Sequence, residues 1–319
     1  MTHQAPPSPA RIRDARAAID PVFLNAPLLE SHSLGLAAFV KDETDNPIRS
    51  FKGRGTGWYV ASGAGGPGPL VTASAGNFGQ GLAYAATRAG RAVTVFASVS
   101  ANPVKIAAMR GFGADVVLEG EDFDAAKAAA RAYAAGHGLT FVEDGASAAI
   151  AEGAGTMAAE LTEAAGDLDA VFVPLGNGAL AAGIGCWFRH ASPRTRVIAV
   201  AARGAPCMAL SFAAKAPVST PEALTIADGI AVREPVPEAV AWLADTVDEV
   251  MLIDDDAIIE AMRFAHAAFH RLVEPAGAAG LAGLMARRGD FRGRRVATML
   301  CGANLTEDQR RRWLPESFR

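Results

Sequence analysis

Between Leu70 and Val142 four short apolar stretches alternate with three helix-length ones, and this pattern restricts the fold more than any other feature of the chain. The spacing predicts strands over 70–73, 92–96, 115–118 and 140–142, with helices over 79–89, 103–111 and 123–135 between them. Strands this short must lie in a shared sheet. A helix between consecutive strands returns the chain to the same end of that sheet, so the strands run parallel through right-handed crossovers. The result is one compact α/β unit.

A run rich in glycine and proline, 63–69, precedes this block and marks a hinge or boundary. Before it the pattern predicts a disordered leader over the first ten residues, a helix over 12–19, an extended approach over 23–29, a strand over 36–41 and a helix over 51–61. After the block come a helix over 150–165, a strand over 170–174, a helix over 179–190 and a strand over 196–200. Helices over 256–272 and 277–288 and a strand over 296–300 complete the series.

With 319 residues, half of them hydrophobic, the chain can bury the core of one large domain or two modest lobes. No apolar run reaches membrane-spanning length and the start lacks the pattern of a signal peptide, so a cytoplasmic protein with no membrane partner is expected. A formal net charge of -4 gives no footprint for nucleic acid, and the basic clusters at 287–295 and 310–312 read as solvated faces. Cys186, Cys207 and Cys301 are far apart, which points to reduced thiols rather than disulfides or structural zinc.

In open α/β sheets ligands sit outside the carboxyl ends of the strands, so those loops are the places for chemistry. Ser74-Ala75-Gly76-Asn77-Phe78 leads from a strand into a helix and can offer backbone N–H groups to an anion, or be simply a capped glycine turn. Gly176-Asn177-Gly178-Ala179-Leu180 lets backbone close around a phosphate at a helix N-terminus. It also fits a loose dinucleotide fingerprint, Gly176-x-Gly178-x-x-Ala181. The acid expected after the next strand is missing there: Ala201 and Ala202 take its place, followed by Arg203, a residue able to accept a 2′-phosphate. Cys301, in Leu300-Cys301-Gly302-Ala303-Asn304, also stands at a strand end, where a small buried thiol is the ordinary case.

Lys52 follows a proline-containing turn and heads a helix, beside Phe51. Partial desolvation there would favour the neutral amine that forms a Schiff base, against the ordinary reading of a surface lysine. His266 and His270 have the spacing of zinc ligands on one helix face, yet nothing in the sequence supplies a third ligand, and they read as packing or surface histidines. Asp254-Asp255-Asp256 reads as an N-cap cluster.

Taken in order, Ser50-Phe51-Lys52, the Ser74–Asn77 loop, Gly176–Leu180, Ala227-Asp228-Gly229, Val273-Glu274-Pro275-Ala276-Gly277 and Cys301 make the chain resemble the fold-type II pyridoxal-phosphate (PLP) enzymes. The likeness is to the serine/threonine dehydratases and runs from about Ile12 to Asn304. It implies a two-lobed α/β fold of the tryptophan synthase β type, with a small lobe, 68–147, inserted in a large one, 1–67 plus 148–319. By the resemblance Lys52 carries PLP as a Schiff base. Phe51, Asn77, Gly176, Asn177, Gly178, Ala179, Leu180, Glu274 and Cys301 bind the cofactor; Asn77 takes its 3-hydroxyl and Cys301 faces its pyridine nitrogen. Ser74, Ala75, Gly76, Asn77 and Phe78 hold the substrate carboxylate. The chain departs from the family's tetraglycine phosphate loop at Asn177 and Ala179.

The activity implied is β-elimination from a hydroxyamino acid such as L-threonine or L-serine, giving a 2-oxo acid and ammonia, by a homodimer. A thiol opposite the ring nitrogen, unable to hold it protonated, favours prompt loss of a β leaving group. Threonine synthase chemistry, β-replacement and a lyase acting on a β-hydroxylated or diamino acid are the nearest alternatives. An NADP-binding oxidoreductase and a PLP-binding protein without turnover are the distant ones. Relatives hold a structural metal beside a glutamate; the matching segment, 200–207, has Arg203 and no carboxylate, so no divalent cation is expected. Fifteen residues after Asn304 leave no room for a regulatory domain, so effector control is not expected. In the family's serine racemases a serine serves as the second acid; Ala75 stands there, and poor racemisation is expected.

Overall fold

A computed structural model describes residues 5–314. The chain opens with α1 (Pro9–Ala18), then a 3-10 turn at Pro21–Phe23, β1 (Leu28–Ser31), β2 (Ala37–Asp42) and α2 (Lys52–Ala61). Next come β3 (Leu70–Ala73), α3 (Asn77–Arg88), β4 (Val93–Ala97), α4 (Pro103–Gly111), β5 (Asp115–Leu118), α5 (Phe123–His137) and β6 (Thr140–Phe141). The remainder is α6 (Ala148–Ala165), β7 (Ala170–Pro174), α7 (Ala179–Ala191), β8 (Arg196–Ala202), α8 (Cys207–Ala214), α9 (Pro237–Thr246), β9 (Glu249–Ile253), α10 (Asp255–Phe269), α11 (Pro275–Ala286), β10 (Arg295–Leu300) and α12 (Glu307–Trp313).

Two sheets result. One is four-stranded and wholly parallel, in the order β5-β4-β3-β6; the other has six strands, β1-β2-β10-β7-β8-β9, with only β1 antiparallel. Each has a point where the chain reverses its direction of travel across the sheet. In the first the strands step from β3 out to β5 and the chain returns to β6 on the other side of β3. In the second they step from β7 out to β9 and the chain returns to β10 on the other side of β7. The loops above such reversals diverge and leave a crevice.

The helices are stopped and started by local chemistry. Asn102 and Asp122 accept from backbone N–H groups at the heads of α4 and α5, and Gly138 ends α5 in the left-handed conformation. α6 is buried along most of its length against α2 and α7. That closeness depends on glycine: a Cβ on Gly153 would stand 2.4 Å from the Arg54 carbonyl, and one on Gly183 1.9 Å from that of Ala151. One hydrophobic cluster then runs from Ile12 and Phe23 through Leu70 and Val95 to Ile184, joining the two sheets.

Under α2 lies a buried charge network. Arg54, fully enclosed, donates to both oxygens of Glu43 at 2.8 Å, to Glu160 at 2.7 and 2.9 Å and to Thr156 at 3.0 Å. Lys41 adds a second cation 2.7 Å from Glu160. Burial alone would raise the Glu160 carboxyl, but hydrogen bonds and charge from Arg54, then Lys41, pull it down to about 2.

Three expectations change. Of the ten residues read as a leader, 1–4 lie outside the described residues, while Pro9 and Ala10 open α1, capped by Ser8; Pro7 is buried and its carbonyl accepts from the Cys186 thiol. α10 stops at Phe269, because His270 takes a left-handed φ of 54° as its C-cap, so His266 and His270 do not share a helix face. The stretch 207–253, for which no helix or strand is predicted, contains α8, α9 and β9.

Candidate active site

The crevices of the two sheets open into one cavity of about 640 Å³. Phe51, Lys52, the Ser74–Phe78 loop, the Gly176–Leu180 loop, Glu274 and Cys301 all line it, so the structure brings every site residue expected from the sequence to one place.

Lys52 is the first residue of α2, and its turn is tied to the end of β10. Phe51 N–H donates to the Cys301 carbonyl at 3.1 Å, as does Ser50 Oγ, and Ala303 N–H donates to Arg49 at 2.9 Å. Arg49 takes a left-handed φ of 52° to make that turn. Nζ of Lys52 lies 2.5 Å from Asp144 Oδ2 and 4.7 Å from the centre of the Phe51 ring, with the Phe78 ring at 5.9 Å. The amine is therefore shielded by two aromatic rings and faces one carboxylate.

The Ser74 loop differs in detail from the expectation. α3 begins at Asn77 rather than at 79, and Ser74 Oγ accepts from Gly76 N–H at 3.2 Å and Gly79 N–H at 3.0 Å. Its oxygen therefore shapes the loop. Asn77 is held from both sides: its Nδ2 donates to Glu274 Oε1 at 2.6 Å, and its Oδ1 accepts from Asn304 Nδ2 at 2.7 Å. Asn304 N–H donates in turn to Glu274 Oε2 at 3.1 Å. Burial, with the nearby charge of Asp228, raises the Glu274 carboxyl to about 6.

Across the cavity the Gly176–Leu180 loop feeds the thirteen-residue α7. Gly178 has a left-handed φ of 97°, no side chain caps the helix and its first turn has no acid, so the leading N–H groups and the dipole face the cavity uncompensated. A phosphate fits there. Burial pushes the Cys301 thiol well up, which keeps it neutral. A lysine amine, an anion cradle and a neutral thiol in one cavity fit the set of groups on PLP. Arg203 does not line the cavity and binds Asp254 at 2.6 Å, so nothing brings it to the Gly176 loop as a 2′-phosphate reader.

Sequence reasoning missed Asp144 and Asn304, although both sit where its own rule pointed, just past the ends of β6 and β10. It also missed pairs across the cavity mouth, Lys105 with Asp228 at 2.5 Å and Arg233 with Asp124. Nothing local in sequence predicts such pairs, since the partners are more than a hundred residues apart.

The profile of the pyridoxal-phosphate dependent enzyme family matches residues 19–302. The chain belongs to that family. It is 36% identical over 282 residues to the biosynthetic L-threonine dehydratase of Salmonella typhimurium, covering 86% of this chain and 54% of that enzyme. An L-threonine ammonia-lyase of Geobacter sulfurreducens is 37% identical over 281 residues, 86% of this chain and 69% of its own. The chain thus spans about half the length of several of the curated relatives it matches. Among solved structures, the processed form of threonine deaminase isoform 2 from Solanum lycopersicum superposes with a TM-score of 0.88 at 27% identity, covering 98% of this chain and 96% of that one. The fold-type II arrangement expected from the motifs is the one observed.

Proposed function

We propose that this protein removes water from a hydroxyamino acid such as L-threonine or L-serine and releases a 2-oxo acid and ammonia, with Lys52 as the cofactor lysine and catalytic base. The observation that carries this reading is Lys52 Nζ inside a cavity lined by the Ser74–Phe78 loop, the Gly176–Leu180 loop, Glu274 and Cys301. The relatives named as threonine dehydratase and threonine ammonia-lyase support it.

PLP, when bound, supplies an electron sink that makes the substrate's Cα proton acidic enough for an amine to remove. The protein's part is positioning. The backbone N–H groups of Ala75, Asn77 and Phe78, those of the loop not already donated, would hold the substrate carboxylate, and Asn77, fixed by Glu274 and Asn304, would hold the cofactor's hydroxyl. The N-terminus of α7 would hold its phosphate, and the neutral Cys301 thiol would be the partner of its ring nitrogen. Lys52, as the free amine, takes the Cα proton. The rings of Phe51 and Phe78 cover two sides of the amine.

Residues 68–147 form the small lobe, inserted in a large lobe of 1–67 plus 148–319, and the working form is a cytoplasmic homodimer acting on a free amino acid. The two sheets and the family resemblance support that division. No helix among the described residues is long and apolar enough to cross a membrane.

The test is direct. Purified protein is expected to absorb in the near-visible, to lose that band on borohydride reduction, and to form 2-oxobutanoate from L-threonine. A protein with the band that forms no 2-oxo acid from threonine or serine would refute the elimination reading.

A further inference from the structure

Asp144 lines the cavity and takes no part in the reading above. Its Oδ2 holds Lys52 Nζ at 2.5 Å, and its Oδ1 is enclosed with no hydrogen-bond partner. A buried acceptor left unpaired is costly, so such groups are rare unless something binds them. The position is not accidental in the backbone. Gly145 follows with a left-handed φ of 91°, and a Cβ there would stand 2.6 Å from the Asn177 carbonyl, so this segment presses against the Gly176–Leu180 loop and sets Asp144 beside Lys52.

The other cations on the wall are already matched. Lys105 pairs with Asp228, Lys127 with Glu143 and Arg233 with Asp124. Among the described residues lining the cavity, Lys52 is the remaining cation. While Lys52 Nζ holds the cofactor or acts as the neutral base, no ammonium group faces Asp144, and no lysine or arginine of the wall is free to receive a second carboxylate from a substrate.

We infer that Asp144 determines specificity, favouring substrates whose Cβ carries a hydrogen-bond donor, an ammonium above a hydroxyl, and disfavouring those with a second carboxylate. The inference rests on the elimination reading. In each reaction the Cα–H and Cβ–X bonds break, HX leaves with X being NH2 or OH, and hydrolysis of the remaining enamine gives the 2-oxo acid and ammonia. The preferred class therefore includes 2,3-diamino acids as well as hydroxyamino acids.

The experiment compares kcat/KM of the holoenzyme for L-2,3-diaminopropionate, L-threonine and L-threo-3-hydroxyaspartate in wild type, Asp144→Asn and Asp144→Glu. Wild type should favour diaminopropionate over hydroxyaspartate by at least about tenfold, Asp144→Asn should collapse that ratio, and Asp144→Glu should retain its sign. Calorimetric titration of the borohydride-reduced protein, which cannot turn over, with diaminopropionate and with L-aspartate should show the same preference and its loss in Asp144→Asn. A preference for the dicarboxylate, or a binding ratio unchanged in Asp144→Asn, overturns the inference. Absence of 2-oxo acid from all three substrates would instead sink the elimination reading, and the binding series would still decide the role of Asp144.

Discussion

Replacing Arg54 with leucine should destabilise the protein severely, and the structure says by how much. The guanidinium is fully buried and makes five hydrogen bonds, four to the carboxylates of Glu43 and Glu160. Its loss leaves two buried carboxylates facing one remaining cation, Lys41, which reaches only Glu160. Removing one partner of a buried pair costs about 3–5 kcal/mol, because the other charge stays desolvated. At roughly 1.5 °C per kcal/mol for a chain of 319 residues, the melting temperature should fall by about 4–8 °C. The pH dependence supplies an independent check. In the wild type Glu160 is held at about 2, below its unfolded value of 4.5, so its stabilisation is complete above about 4.5 and is lost as pH falls through about 2. In the variant burial acts on the two carboxylates with Arg54 gone, so protonation favours the folded state and the deficit shrinks in acid. Calorimetric scans at several pH values should show the two proteins converging from pH 7.5 to pH 4.5. A variant that melts within 2 °C of wild type at neutral pH, or runs parallel to it, would refute the reasoning.

Glu274 should set an acid limit near pH 6. Above that its ionised carboxylate accepts from Asn77 and Asn304; protonation weakens that hold, so cofactor affinity should drop below pH 6 in the wild type and stay flat through that range in Glu274→Gln, as read by fluorescence titration. Because its pKa is raised in the folded state, ionised Glu274 opposes folding above pH 6, and Glu274→Gln should melt higher than wild type at pH 8 in the cofactor-free protein. Racemisation should be slow relative to elimination, since Ala75 offers no exchangeable proton and the added acid, Asp144, lies within 2.5 Å of the lysine itself. Chiral chromatography after incubation with L-serine checks this, and Ala75→Ser should raise inversion; inversion as fast as elimination would contradict it.

The site was legible because its parts lie at strand ends, and strand ends are marked by short apolar runs giving way to glycine and small polar residues. Gly176-Asn177-Gly178 and Ser74–Phe78 could be found that way, and Lys52 joined them through family likeness. Asp144 obeys the same rule, but β6 has only two paired residues and its acid resembles any surface acid in sequence. The stretch 207–253 was opaque for a different reason. β9 is a half-buried edge strand and α8 spans only eight residues, so neither shows a clear period. The end of α10 was misplaced because no glycine marks it; His270 adopts the left-handed cap instead.

The central claim is that Lys52 carries the cofactor and removes the proton. Borohydride reduction of the purified protein followed by peptide mass spectrometry tests it most directly, with Lys52→Ala as the companion variant. The account predicts the pyridoxyl group on Lys52, and neither near-visible band nor turnover in Lys52→Ala. A pyridoxyl group on Lys41, which is buried against Glu160, or on Lys105, which lines the same cavity, would contradict it.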